Sequence, residues 1–318
     1  MADINLQEIH DNLLAIAFEA GRMILGANVN SISTGTKLNS VDIVTETDQA
    51  VEKHVTTRLQ TLYPSYLFVG EETYVAGQTK ITDAPTFIVD PIDGTTNFVH
   101  GFPNACISLG FAVNRTPSIG VVYNPFQDLL YTGIKGQGAY MQRNASLAAR
   151  GILKPEEGGA GCARIRLPAS GAGDGAKAPA LGDLSTALVA VEWGSSRDGN
   201  NYEVKVEAFR RLAASKETGG SMVHSLRSLG SAALNLCAVA EGSLDAYWEG
   251  GCYAWDVCAG WCILSEAGGL MASGNPGDWD PALDARVYLA VRGAPAGQRE
   301  IVEEFWRVVG DGRMEYKH

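Results

Sequence analysis

The segment Phe87-Ile88-Val89-Asp90-Pro91-Ile92-Asp93-Gly94-Thr95-Thr96-Asn97-Phe98 constrains this chain more than any other. A short apolar strand runs into a turn bearing two carboxylates three residues apart, then a glycine and two hydroxyls. A turn rich in backbone N–H groups that leads toward a helix start is suited to holding a phosphate. Carboxylates beside it suit a hard cation such as Mg2+, which takes oxygen ligands and often bridges protein to phosphate. Taken alone, Asp-Pro and Asp-Gly are also ordinary turn residues.

Composition bounds the setting. The chain has 318 residues, about two domain-sized units and enough to bury a substantial core. Apolar residues make up 46% and charged residues 19%, which excludes a disordered polyelectrolyte and a membrane protein. With 25 Lys and Arg against 36 Asp and Glu, the net charge is −11. That surplus argues against nucleic acid and anionic membrane surfaces as partners, which call for basic patches. It also raises the question of whether some carboxylates are concentrated where they need a cation. No basic stretch leads into an apolar core at the start, and no run of about 18 apolar residues occurs, so neither a signal peptide nor a membrane span is expected. Cys106, Cys162, Cys237, Cys252, Cys258 and Cys262 read as reduced, packed side chains rather than a disulfide framework. Cys258 and Cys262 share a helix face, but no nearby His completes a metal site. The Asn-x-Ser/Thr matches at Asn114 and Asn144 are then incidental. A soluble, cytoplasmic protein is expected.

Leu6, Ile9, Leu13, Ala17, Ala20 and Ile24 recur at helical spacing, with Asp3 as a candidate cap. A Ser/Thr/Asn/Gly stretch at 28–40 precedes a second helix across 46–61, stopped by Tyr63-Pro64. Strands are expected at 66–69, 87–89, 106–113, 119–123 and 129–132, with Asn114-Arg115-Thr116-Pro117 as the turn of a meander. Residues 144–183 are rich in Gly, Ala and Pro and read as a surface insertion, partly disordered. A strand follows at 187–192, helices at about 201–214 and 230–241, a helix from 256 to 267 closed by Gly268-Gly269, a strand at 286–291 and a helix at 297–308. The irregular alternation favours layered α+β or mixed α/β over regular βαβ winding.

Two further acidic clusters join the first. Gly70-Glu71-Glu72 follows a strand, and Trp255-Asp256 opens a late helix, preceded by Glu249. Separately, Glu71 and Glu72 suit a solvated turn and Asp256 suits a helix cap. Together, the segments Asp42-Ile43-Val44-Thr45-Glu46-Thr47-Asp48, Gly70-Glu71-Glu72, Asp90 to Phe98, and Trp255-Asp256 through Glu266-Ala267-Gly268-Gly269 resemble the inositol monophosphatases, the Mg2+-dependent, lithium-sensitive sugar phosphatases, in the family's order. Gly194-Ser195-Ser196-Arg197 and Arg227 to Ala233 match two further segments, and the resemblance covers nearly everything outside 144–183.

The resemblance implies a role for each matched residue. Glu71, Asp90, the main-chain oxygen of Ile92, Asp93 and Asp256 would ligate two or three Mg2+ ions. Thr95, with Asp48 behind it and Glu71 nearby, would position and activate the attacking water. The Gly94 and Thr95 amides would receive the phosphate. Ser196, Ser231, Ala232 and Glu249 would line the alcohol side, with Asp256 also reaching the substrate, and Lys37 would help seat the third metal. Departures lie at the rim, where Glu249 is followed by Gly250-Gly251-Cys252 and the 144–183 region is long, so substrate identity is less constrained than the chemistry.

The chemistry suits these residues. A phosphate monoester dianion repels hydroxide, and metals neutralise its oxygens, acidify a bound water and stabilise the leaving alkoxide. Converging carboxylates without cations repel by roughly 4 kcal/mol per pair at about 4 Å and an effective dielectric of about 20. Aspartyl-phosphate enzymes space their aspartates two apart rather than three, and no Gly-x-Ser-x-Gly elbow accompanies the five His. His100 and His224 read as structural or rim residues. The implied fold is α/β (α+β), a layered αβαβα sandwich with mixed and antiparallel sheets. It would form one catalytic domain over 1–318, with subdomains of approximately 1–185 and 186–318. The expectation is a homodimeric phosphatase acting on inositol monophosphate or a similar polyol or sugar monophosphate. The alternatives are a nucleotide-bisphosphate or fructose-bisphosphate phosphatase, and a non-catalytic regulatory binder in sugar or quinate metabolism.

Overall fold

The computed structural model describes residues 4–27, 34–36, 43–78, 80–154, 162–169 and 178–316. Helix α1 (Leu6–Gly26) buries Ile9, Leu13, Ile16, Ala17, Ala20 and Ile24 along one face, the stripe that its spacing predicts. Its cap is Asn5, whose side chain accepts from the Glu8 amide at 3.2 Å; Asp3 lies outside the described residues. A small antiparallel pair, β1 (Thr34–Thr36) and β2 (Ile43–Thr45), leads directly into α2 (Glu46–Leu62). Thr45 and Asp48 form a reciprocal capping box there.

The next seven strands form one sheet in the order β3-β4-β5-β6-β7-β8-β9. They are β3 (Leu67–Gly70), β4 (Thr86–Asp93), β5 (Cys106–Val113), β6 (Thr116–Asn124), β7 (Leu129–Ile134), β8 (Gly138–Arg143) and β9 (Arg164–Arg166). Only β3 and β4 pair in parallel. The expected four-residue turn between β5 and β6 is tighter. Asn114 and Arg115 both take left-handed φ, 51° and 58°, and Thr116 and Pro117 already belong to β6, which is the primed-turn geometry that matches strand twist. Short helix α3 (Thr95–Val99) follows β4.

The 144–183 region departs from the expected loop. Ala145–Ala149 forms α4, Arg164–Arg166 adds β9 to the sheet edge, and Cys162 and Leu167 are buried. Its low apolar content hid a strand whose single apolar residue, Ile165, lies between two arginines. Residues 155–161 and 170–177 lie outside the described residues.

The second sheet runs β11-β10-β12-β14-β13, with β10 (Leu188–Val191), β11 (Ser225–Arg227), β12 (Ala246–Gly250), β13 (Leu270–Ser273) and β14 (Val287–Val291). Strand β10 pairs in parallel with both β11 and β12. Helices α5 (Gly199–Ala213), α6 (Ala232–Glu241), α7 (Ala254–Glu266) and α8 (Gln298–Val309) complete the fold.

Three apolar cores show the layering. Leu13 and Val55 of α1 and α2 pack with Phe87, Val89 and Leu109 on one face of the first sheet. Ile88 and Val122 on its other face join Leu236 of α6, Cys258 and Ile263 of α7, and Tyr247 of the second sheet. Trp248 and Leu289 on the far face of that sheet pack with Leu212 of α5 and Phe305 of α8. The alternation of Phe87 with Ile88 and of Tyr247 with Trp248 follows the period-two geometry of strands. The layers therefore run α, β, α, β, α, as expected. Since β4 is covered on both faces, all eight of its residues are buried.

Candidate active site

In a regular strand, Asp90 and Asp93 would face opposite sides, because three is an odd step in a period of two. The β4–β5 pairing removes the conflict: Asp90 pairs with Ser108 and Asp93 with Cys106, with a register shift between them. Three residues on β4 thus span two on β5. Such a bulge turns both carboxylates to one side, and Pro91, which has no N–H to donate, sits where the ladder is interrupted.

Helix starts receive three of the site carboxylates. Asp93 accepts the Ser231 hydroxyl and the amides of Ala232 at 3.2 Å and Ala233 at 2.8 Å, the opening of α6. Asp256 takes the Tyr253 amide at 2.6 Å at the start of α7. Asp48 takes the Thr45 amide at 2.9 Å and the Thr45 hydroxyl at the start of α2. The first amides of a helix lack intrahelical acceptors and carry the positive end of the dipole, so each start orients an anion. Asp90 accepts from the Ile92 amide at 3.0 Å.

These groups converge. Carboxylate oxygens of Asp90, Asp93 and Asp256 lie within 4.8 Å of one another. Among the described residues, no lysine or arginine forms an ion pair with any of the three. Burial, followed by repulsion from Glu71, Asp93 and Asp256, pushes Asp90 well above the carboxylate range. Burial and the charges of Glu71 and Asp93 do the same to Asp256. Burial lifts Asp93 to about 6 against the opposing hydrogen bonds from Ser231 and the α6 amides. An all-oxygen set of mutually repelling buried carboxylates fits a hard divalent cation. Glu71 joins from the turn after β3, hydrogen-bonded to the Asp90 side chain. Glu52, which the sequence reading missed, anchors that turn by accepting the Glu72 amide at 2.7 Å.

Gly94 begins α3 at φ 92°, and a Cβ there would lie 2.9 Å from the Asn104 carbonyl and 3.0 Å from the Gly230 carbonyl, so only glycine fits. Thr95 Oγ1 is 3.2 Å from Asp48 Oδ1 and 3.0 Å from the Ile92 carbonyl. Burial lifts Asp48 to about 6. Asn97 ties the turn to the opposite loop through the Leu229 carbonyl at 2.7 Å. Glu192, at the end of β10, holds that loop through the Ser228 hydroxyl and the amides of Leu229 and Gly230. It too was missed, although an acidic residue at a strand end is the signal that marked Glu71.

A cleft of about 660 Å3 joins these parts, lined by Glu71, Asp93, Gly94, Thr95, Ser231, Ala232, Glu249 and Asp256. Asp90, Ile92 and Asp48 are buried and do not line it, although they neighbour lining residues Glu71, Asp93 and Thr95. Glu249 enters from β12, a strand the sequence reading did not anticipate. Its carboxylate accepts the Tyr247 hydroxyl, and burial lifts it to about 7. Ser196 is placed differently: Ser195 and Arg197 line the cleft, while Ser196 lines an adjoining depression and hydrogen-bonds Tyr316. His100 is an exposed rim residue, His224 is exposed, and Lys37 lies outside the described residues. All six cysteines are buried.

The inositol monophosphatase family model matches residues 5–309. Inositol monophosphatase 2 of Saccharomyces cerevisiae is 46% identical over 295 residues, covering 91% of this chain and 90% of that protein. Quinic acid degradation cluster protein x of Neurospora crassa is 37% identical over 348 residues, covering 96% and 94%. Among solved structures, inositol monophosphatase from Anabaena superposes with a TM-score of 0.66 at 26% identity, covering 97% of each chain.

Proposed function

That the chain belongs to the inositol monophosphatase family, and so to the phosphoric monoester hydrolases, is the premise from which we propose its reaction: Mg2+-dependent hydrolysis of inositol monophosphate or a similar polyol or sugar monophosphate by direct attack of water. The observation that carries it is the triad Asp90, Asp93 and Asp256, within 4.8 Å and without an ion-pair partner among the described residues, beside the Gly94-Thr95 turn.

In this reading Glu71, Asp90, Asp93, Asp256 and the Ile92 carbonyl hold the metal. When bound there, Mg2+ neutralises phosphate oxygens, lowers the pKa of water and stabilises the leaving alkoxide. The first-turn amides of Gly94 and Thr95 receive the phosphate. Thr95 orients the attacking water through its hydroxyl, and Asp48 takes the proton relayed through Thr95, with Glu71 adjacent as a second acceptor. Ser231, Ala232, Glu249 and Asp256 accept and shape the alcohol, with Ser196 at the outer margin. Lys37 assists a third metal.

We assign the active form as a homodimer in the cytoplasm, inhibited by Li+. One catalytic unit would span the chain, with halves of approximately 1–185 and 186–318. The acidic composition and the buried cysteines support the compartment, and among the described residues no helix is long and apolar enough to cross a membrane. The dimer and the lithium response rest on the family resemblance.

The bisphosphate reading needs extra cations in the cleft. The cleft's two arginines are both engaged: Arg197 donates to the Gly194 carbonyl, and Arg286 to the carbonyls of Cys252 at 2.8 Å and Gly251 at 2.9 Å while lying over the Tyr253 ring, which favours monophosphates. The regulatory reading is disfavoured by the intact carboxylate and Thr95 set. Phosphate release from a panel of inositol and sugar phosphates with Mg2+, with and without Li+, tests the proposal. Release from none of them rejects it, and metal binding without turnover favours the regulatory reading.

A further inference from the structure

Lysine is among the side chains least often fully buried, because stripping water from an ammonium costs several kcal/mol unless partners replace it. Lys205, in the middle of α5, is 0% exposed. Its Nζ donates to the Trp193 carbonyl at 2.8 Å and the Gly250 carbonyl at 2.7 Å. Trp193 lies just beyond β10, and Gly250 ends β12, the parallel neighbour of β10. The ammonium therefore pins together the ends of two adjacent strands, and residues at or just beyond those ends line the cleft: Gly194, Ser195 and Arg197 from one, Glu249 and Cys252 from the other.

Gly194 shows how closely these groups converge. It takes φ 59°, and a Cβ built on it would lie 3.0 Å from Lys205 Nζ, 3.3 Å from the Gly250 carbonyl oxygen and 3.8 Å from Glu249 Oε1. The ammonium, the carbonyl it holds and the Glu249 carboxylate thus crowd one α-carbon, held at a positive φ that favours glycine. Glu249 also feels the negative charge of Glu192, and Lys205 opposes it from behind. Being enclosed, Lys205 cannot touch substrate and acts through Glu249 and the two turns.

We propose that Lys205 is a specificity-determining positioning residue, a buried ammonium that ties the 193–194 and 249–250 turns and countercharges Glu249, so that the site selects phosphate esters of polyhydroxylated alcohols over esters whose alcohol offers no hydroxyl. The role rests on the phosphatase reading above. A carboxylate held at a fixed place accepts from a substrate hydroxyl, and a site built for such a bond discriminates strongly against analogues lacking it.

The test compares kcat/KM for inositol monophosphate with that for 4-nitrophenyl phosphate, with Mg2+, in the wild type, Lys205→Met, Glu249→Gln and the double variant. Lys205→Met is expected to lose about fivefold or more in the ratio of the two, through KM for the polyol ester. In the Glu249→Gln background the same change should cost little more, the non-additivity expected of residues acting as a unit. A ratio loss below about fivefold, or additive losses in the double variant, overturns the role. Should Lys205→Met aggregate, Lys205→Gln, a neutral donor, is read against the same criteria. A wild type that hydrolyses neither ester sinks the phosphatase reading itself and this role with it. A wild type active on both whose selectivity is indifferent to residue 205 sinks only the role.

Discussion

Thr95 Oγ1 stands 3.2 Å from Asp48 Oδ1 and 3.0 Å from the Ile92 carbonyl oxygen, one hydroxyl hydrogen facing two acceptors. A hydroxyl has one hydrogen to donate and two lone pairs. It can therefore hand a proton toward Asp48 while presenting a lone pair to water, and Asp48, raised to about 6 by burial, is basic enough to receive it near neutrality.

Thr95→Ala removes that relay without disturbing the carboxylates. Turnover is expected to fall by about 100-fold or more, within the usual range for a proton-transfer group, while Thr95→Ser retains most of it. Steady-state assays of the two variants decide the matter, and equal activity in both would show that the hydroxyl carries no proton.

Asp90→Asn separates stability from catalysis. Asp90 is raised by burial and by three neighbouring carboxylates. Neutralising it should raise the metal-free Tm, because a buried repulsive charge is gone, while abolishing turnover. Thermal unfolding in chelator, beside an assay in Mg2+, reads both effects. A lower metal-free Tm would mean that the cluster is not repulsive.

Metal stabilisation should grow with pH. Burial raises Asp48 and Asp93 to about 6 in the fold, against a usual value of 3.8. The folded state therefore holds protons that the unfolded chain has released, and stability present below about pH 4 is lost as pH rises through about 6. A shift of two units amounts to roughly 3 kcal/mol per group. Mg2+ competes with those protons, so the Tm gain on adding Mg2+ should be larger at about pH 8 than at about pH 5. A gain that shrinks with pH would contradict the assignment.

Glu192→Gln should loosen the wall opposite the phosphate turn. Glu192 accepts from Ser228, Leu229, Gly230 and Asn235, and an amide nitrogen cannot accept. Leaving a buried donor unmatched costs about 1–3 kcal/mol. A lower Tm is expected together with a raised KM, since the Gly230 carbonyl backs Gly94. An unchanged Tm would show that the loop holds itself.

Local features were legible in the chain itself. Helical periodicity located α1, α2 and α8 to within a residue or two, and the Phe87–Phe98 segment announced its strand, its turn and its acidic chemistry. The order of the acidic segments identified the family, because capping positions, turn glycines and strand ends are written in neighbouring residues. Tertiary structure alone decided that Asp90 and Asp93 face one way, since an ungapped strand pattern would oppose them and the bulge exists only in the pairing with β5. It likewise placed Asp93 against Ser231, 138 residues away, and Glu249 on a strand without a local signal. Lys205 shows the limit most sharply: a lysine on an amphipathic helix reads as solvated, and only the packing of α5 behind β10 and β12 encloses it. Periodicity is a property of a few consecutive residues, whereas convergence of charge depends on how the layers are stacked.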